Sequence, residues 1–275
     1  MNSLKQRYGS WAMITGASSG IGQEFAHQLA AQGFNLVLVA RRKNELSQLA
    51  STLFSSHSTI TRVISLDLLE SDSIQTLNTL TEDLDIGLVI PAAGVDEMGA
   101  FFDNPIVSHQ KVMKLNMEVP TQIAHTFGQR LQKRGGGGII MISSLLAYQG
   151  TTFFSSYAAS KSYILLLGEA LNVELKQHNI DVLVVAPGLT QTPMASGIPI
   201  DWSQIPMQQQ RPAAVVKTAL SSIGKKASVV SGLLNKFYAW QNRLLPRITP
   251  TKFFNVLLSR GVKQYQTKNL GSKSV

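Results

Sequence analysis

Short apolar runs alternate along this chain with longer stretches in which apolar side chains recur every three or four positions. The first run, Ala12 to Thr15, predicts a strand. From about Gly20 to Gln32, Phe25, Leu29 and Ala30 fall on one helical face, and Gly33 ends the pattern. Asn35 to Ala40 is an uninterrupted apolar run, the signature of a strand covered on both faces. The alternation continues with a helix over about 43–54, a strand over 59–66 and a helix over 71–81 with Ser71 as its N-cap. A strand over 86–90 and a long helix over 104–133 follow. Gly135 to Gly138 should break that helix before a strand over 139–143. A helix over 155–178, a strand over 180–186, a helix over 213–223 and a short strand over 228–230 complete the series. Strands and helices alternating at this spacing predict an α/β fold: a doubly wound, Rossmann-like parallel sheet of about seven strands.

Two segments depart from the pattern. Residues 189–211, with Pro193, Pro199 and Pro206 and then Pro212, read as a mobile loop over a site. Residues 232–265 read as amphipathic helix interrupted by Pro246 and Pro250. The expected division is one Rossmann-like catalytic domain over 1–231 and an amphipathic, basic C-terminal extension over 232–275, packed on or beside it.

The net charge of +9 sharpens that division. Asp201 is the last acidic residue, and ten Lys and Arg follow from Lys225 onward. The first 224 residues sum to about −1, so the basic character belongs to the tail. Lys236 and Arg243 lie among the leucines and aromatics of 233–245, and Phe253 to Leu258 repeats the mixture. An anionic membrane surface or an acidic carrier protein fits such a tail; packing on the body or on a sister subunit fits it as well. The chain has no cysteine, hence no disulfide or thiol chemistry. This agrees with a cytoplasmic location, membrane-associated through the tail. The histidines at 27, 57, 109, 125 and 178 form no metal-ligand spacing, read as surface or packed residues, and no metal is expected. No apolar run approaches the roughly 18 residues of a membrane-spanning helix. No nucleic-acid partner is expected.

The candidate chemistry lies at strand ends. Thr15-Gly-Ala-Ser-Ser-Gly-Ile-Gly22 stands at the first strand–helix junction. Its glycines permit a tight turn and let backbone N–H groups approach a pyrophosphate at the helix N-terminus. The second strand ends in Arg41-Arg42 where an NAD-preferring site would carry a carboxylate. Two guanidinium groups there suit a ribose 2′-phosphate, unless both are solvated side chains at a helix start. Further on, Ser144 is followed by Tyr157 and then, one helical turn later, by Lys161. A cation on the same helical face as a phenol favours the phenolate and makes an acid/base site.

The chain resembles the short-chain dehydrogenase/reductase superfamily from about Trp11 to Gly232. The resemblance rests on the 15–22 turn, Asp67, Ala93-Gly94, Asn116, Ser144, Tyr157-Ala-Ala-Ser-Lys161, and Pro187-Gly188 with Thr192. It implies catalysis by Asn116, Ser144, Tyr157 and Lys161. It implies NADP(H) held by Gly16, Ser18, Ser19, Gly20, Ile21, Gly22, Arg41, Arg42, Asp67, Leu68, Ala93, Gly94, Tyr157, Lys161, Pro187, Gly188, Thr190 and Thr192. Arg41 would be the main phosphate contact, with Arg42 in support. Asp67 would hold the adenine, or simply cap the next segment. Tyr157 would be the general acid in carbonyl reduction and the base in alcohol oxidation, with Asn116 holding a relay water. The family usually places Asn-Asn-Ala-Gly after the fourth strand; here stands Pro91-Ala-Ala-Gly94, so a local effect on stability is expected.

The loop side chains Met194, Ile198, Ile200, Trp202, Ile205 and Met207 should form an apolar lid, with Leu145 to Tyr148 and Phe153-Phe154 lining an apolar corridor. A hydrophobic carbonyl, its alcohol, or an acyl substrate suits this better than a sugar. The resemblance implies a homo-oligomer, dimer or tetramer, formed through the helices over 104–133 and 155–178. The alternative is a catalytically weak nucleotide-binding sensor, or a protein whose docking to a membrane or carrier matters more than its site.

Overall fold

The computed structural model describes residues 4–205, 207–242 and 244–270; residues 1–3, Pro206, Arg243 and residues 271–275 lie outside it. A short helix, α1 (Leu4–Tyr8), precedes β1 (Trp11–Thr15) and was not legible in the pattern. The series then runs α2 (Gly20–Ala30), β2 (Asn35–Ala40), α3 (Lys43–His57), β3 (Thr61–Ser65), α4 (Ser73–Thr79) and β4 (Ile86–Pro91). Next come α5 (Ile106–Met113), α6 (Val119–Arg134), β5 (Gly137–Ile142), α7 (Ser155–Glu174) and β6 (Ile180–Ala186). The chain ends with α8 (Pro193–Ser196), α9 (Pro212–Ser222), β7 (Ser228–Val230), α10 (Leu233–Gln241) and α11 (Ile248–Leu270).

The seven strands form one parallel sheet in the order β3-β2-β1-β4-β5-β6-β7. The order reverses direction between β1 and β4, and a crevice opens there at the carboxyl ends of the strands. Successive strand residues feed opposite faces. Leu36 and Leu38 pack with α2, α3 and α9 through Phe25, Leu29, Leu46 and Val216. Val37 and Val39 pack on the other side with α4, α6 and α7 through Leu77, Phe127 and Ile164. Both faces are covered, and this is why the strands read as continuous apolar runs.

Four expectations need correction. Ser71 does not cap α4: the helix starts at Ser73, Asp72 precedes it, and no side chain caps it. Ser73 Oγ instead donates to the Leu68 carbonyl at 3.2 Å. The break before β5 is confined to Gly135 and Gly136, since Gly137 and Gly138 pair with Ile180 and Asp181 inside the sheet. The long helix is continuous but not uniform: Lys114 to Glu118 adopt a π turn between α5 and α6. The helix over 155–178 is α-helical only to Glu174, and its last turn tightens into a 3₁₀ turn, Leu175–His178.

Candidate active site

The crevice is a cavity of about 360 Å³ at the carboxyl ends of β1, β2, β4, β5 and β6. Gly16 and Gly20 turn the chain from β1 into α2 with φ of 68° and 58°, a region that side chains with a Cβ rarely enter. A Cβ on Gly22 would stand 2.3 Å from the Gly16 carbonyl oxygen, so the turn closes only on glycine. Ser19 begins α2 without a side-chain cap. The first N–H groups of the helix therefore face the cavity free of side-chain partners, as a diphosphate requires.

At the rim, Arg42 donates to Ser18 Oγ at 2.9 Å and lies 3.7 Å from Glu45. Arg41 is more exposed and reaches Asp67 at 3.9 Å. Asp67 also accepts from the Leu69 N–H at 3.1 Å, so it caps its own segment while facing the cavity. Together these features form a cradle that fits a phosphorylated dinucleotide: a glycine turn, a helix end, two cations and one carboxylate.

Across the cavity, Ser144 follows β5. Its hydroxyl accepts from Leu146 N–H at 3.2 Å, and Leu145 N–H donates to the Pro187 carbonyl at 2.7 Å. This ties the turn after β5 to the turn after β6. Tyr157 and Lys161 lie one turn apart on α7, with the Lys161 Nζ 5.6 Å from the Tyr157 ring centre. Burial pushes the Tyr157 hydroxyl up to about 12; its hydrogen bond with Ser144 pulls down, and the nearby Asp96 carboxylate adds to the rise. Burial alone draws the Lys161 ammonium down to about 8. Lys161 Nζ donates to the Ile142 carbonyl at 3.1 Å, and Ser143 Oγ holds the Lys161 carbonyl at 2.7 Å. Near neutral pH the protein alone thus presents a protonated phenol beside an ammonium cation, arranged to give a proton to a carbonyl oxygen.

Among the residues expected to act, all line this cavity except Asn116. Asn116 sits in the π turn, buried behind Gly94. Its side chain accepts from Val95 N–H at 2.9 Å, donates to the Val95 carbonyl at 2.8 Å and donates to Ser160 Oγ at 3.2 Å. It therefore braces the chain leaving β4. The Ala93 N–H finds the Thr15 hydroxyl at 3.2 Å, a second brace where Pro91 and Ala92 stand in place of asparagines.

The lid is partly as expected. Met194, Ile198, Trp202 and Met207 line the cavity, but Ile200 and Ile205 turn inward to pack with Phe154 and Leu258. Of the corridor, Leu145, Leu146 and Phe154 reach the cavity; Ala147, Tyr148 and Phe153 do not. Asp96 and Leu115 were missed, and so were Phe254 and Leu258 of α11. The four-residue spacing of the last two was the signal, hidden by reading the tail as separate from the site. His109 is packed as expected, in a buried pair with Glu97 at 2.7 Å; its ring also contacts Ser156 Oγ at 2.7 Å and the Phe101 carbonyl at 3.1 Å. Among the described residues no cluster is suited to a metal ion, and no helix is long and apolar enough to cross a membrane.

Comparison with known proteins places the site in context. Residues 10–201 match the family model for short chain dehydrogenases. The 7beta-hydroxysteroid dehydrogenase of Clostridium sardiniense is 29% identical over 245 residues, covering 89% of this chain and 94% of its own. A very-long-chain 3-oxoacyl-CoA reductase-like protein of Arabidopsis thaliana is 31% identical over 225 residues, covering 80% and 72%. Among solved structures, one described for 7beta-hydroxysteroid dehydrogenase stereoselectivity superposes with a TM-score of 0.84 at 26% identity, covering 92% of this chain and all of the other. A short-chain dehydrogenase from Sphingobium yanoikuyae in complex with NADPH superposes with a TM-score of 0.76 at 29% identity, covering 86% and 93%.

Proposed function

Since the chain belongs to the short-chain dehydrogenase/reductase family and is an oxidoreductase of that fold, we propose that it is an NADP(H)-dependent enzyme reducing a carbonyl, or oxidising the matching alcohol, on a hydrophobic substrate. The observation that carries this reading is the cavity in which Ser144, Tyr157 and Lys161 face the glycine turn and the two arginines. The NADPH-bound neighbour and the steroid and acyl relatives support the cofactor and the substrate class.

The cofactor supplies the hydride when bound. Gly16, Ser18, Ser19, Gly20, Ile21 and Gly22 hold its diphosphate, Arg41 and Arg42 its 2′-phosphate, and Asp67 and Leu68 its adenine. Ala93, Gly94, Pro187, Gly188, Thr190 and Thr192 flank the nicotinamide half. Ser144 donates to the substrate carbonyl oxygen and aims its carbon. Tyr157 gives that oxygen its proton. In oxidation Tyr157 takes the proton back, and the Lys161 charge lowers the cost of the phenolate. Lys161 also holds the nicotinamide ribose, and Asn116 keeps a water in line behind it. Apolar walls from Leu145, Phe154, Met194 and Trp202 select the hydrophobic substrate and shed water.

The catalytic domain is residues 1–231, with 232–275 as an amphipathic, basic extension packed on or beside it that lends Phe254 and Leu258 to the cavity. A dimer or tetramer forms through α5, α6 and α7, on which Ile106, Val107, Leu166 and Val173 are exposed. The cytoplasm is the proposed compartment, with the basic tail meeting an anionic membrane surface or an acidic carrier protein.

A panel of ketones and aldehydes, with NADPH oxidation followed at its absorbance, tests the reading. Tyr157→Phe should lose at least 10³-fold in kcat while NADPH binding, followed by fluorescence, is unchanged. Turnover that survives Tyr157→Phe would refute the assignment.

A further inference from the structure

The C-terminal helices each present two unlike faces. On α10, Asn235 and Ala239 are buried, whereas Leu233, Phe237 and Trp240 are 84%, 54% and 57% exposed at positions i, i+4 and i+7. On α11, Phe254 and Leu258 are buried and line the substrate cavity, whereas Phe253 and Val256 point to solvent. The rings of Tyr238 and Phe254, 6.4 Å apart, tie the two helices together. Leu244, between the two helices, and Ile248, at the start of α11, are also exposed. Lys236, Arg247, Lys252 and Arg260 stand exposed among these side chains, and no carboxylate follows Asp201. Folded proteins seldom leave apolar side chains of this size together in water without a partner. A row of leucine and aromatic side chains on two helices whose own charged residues are all cations matches the interface of an anionic bilayer in both its terms, apolar burial and charge.

The position of α11 adds a functional reason. Its inner side roofs the cavity while its outer side carries the apolar row, so a bilayer against the outer side would lie one helix away from the reacting centre. We propose that the outer faces of α10 and α11 seat on an anionic lipid bilayer, and that the apolar carbonyl substrate passes from that bilayer into the cavity beside α11. The substrate half of this rests on the function proposed above; the docking half does not.

The full chain should co-sediment with phosphatidylcholine vesicles containing phosphatidylserine, and much less with phosphatidylcholine alone. Each exposed cation contributes roughly a five-fold factor to partition onto an anionic surface. The double variant Arg247→Glu, Lys252→Glu should therefore bind at least about 30-fold more weakly, and high salt should have the same sense of effect. Its turnover of a ketone dissolved in the vesicles should fall in parallel, while turnover of a water-soluble ketone stays at the wild-type level. Absence of binding to anionic vesicles at low salt would overturn the proposal. So would binding undiminished in the double variant, or an oligomer in sedimentation velocity that Trp240→Arg dissociates, since a second copy would then cover this face. Vesicle binding without turnover of any ketone would sink the reductase reading and leave the docking intact. Turnover without vesicle binding would do the reverse.

Discussion

Replacing Lys161 should relieve a stability penalty that is present at neutral pH and absent in alkali. Lys161 is only 7% exposed and satisfies one of its three donors at the Ile142 carbonyl. Burial lowers its pKa from 10.5 to about 8. At about 1.36 kcal/mol per unit, the fold holds the charged amine at a cost of about 3 kcal/mol relative to water. The folded value lies below the unfolded one, so the unfolded chain binds the proton more tightly. Full stability is present above pH 10.5 and declines as pH falls towards 8, below which the penalty is constant. Lys161→Met keeps the length of the side chain and removes the titration. It also leaves the Ile142 carbonyl without this donor, a pH-independent loss of about 1–3 kcal/mol. Urea unfolding of both proteins at pH 7, 8, 9 and 10 gives the difference in unfolding free energy, in which unrelated titrations cancel. That difference should move by about 2.5 kcal/mol between pH 7 and pH 10, the wild type gaining on the variant as pH rises. A difference flat to within ~0.5 kcal/mol would show that the ammonium is not desolvated, and the reasoning about Tyr157 would fall with it.

Three other outcomes follow from the geometry. Asn116→Ala leaves both polar groups of Val95 without their partners and should cost about 1–3 kcal/mol in urea unfolding, with a loss of kcat that Asn116→Asp only partly restores. Gly22→Ala forces a Cβ against the Gly16 carbonyl oxygen; a far-UV spectrum like the wild type's with NADPH affinity about 10- to 100-fold weaker is expected by fluorescence titration. Arg41→Ala should weaken NADPH by about 10- to 100-fold and leave NADH unchanged; an equal loss for both would remove the 2′-phosphate role.

The sheet was legible because its strands are covered on both sides: Leu36 to Val39 carry apolar side chains to two separate cores, which makes an unmistakable run. The glycine turn and the residues of the cavity wall were legible for a related reason, since each sits at the end of such a run, where only particular residue types satisfy the geometry. Helix ends were less so. Ser71 has the composition of a cap, but Ser73 is drawn to the Leu68 carbonyl and the helix starts later. Asp96, Phe254 and Leu258 escaped notice because their role depends on contacts across many residues of chain, which periodicity does not record. The same holds for Ile200 and Ile205, apolar lid residues whose side was set by Phe154 and Leu258 rather than by their own segment.

The π turn at Lys114 to Glu118 has a consequence for the length of its element. A turn of this kind holds one residue more than its neighbours, so α6 leaves it rotated by about 100° from the path that α5 would have continued. Val112 before the turn and Ile123, Phe127 and Leu131 after it are all buried. Excising a single residue within Lys114 to Glu118 would leave an unbroken α-helix whose two halves keep the facing they have now. The extra residue serves the turn that carries the buried Asn116, and the helix on either side runs on past it.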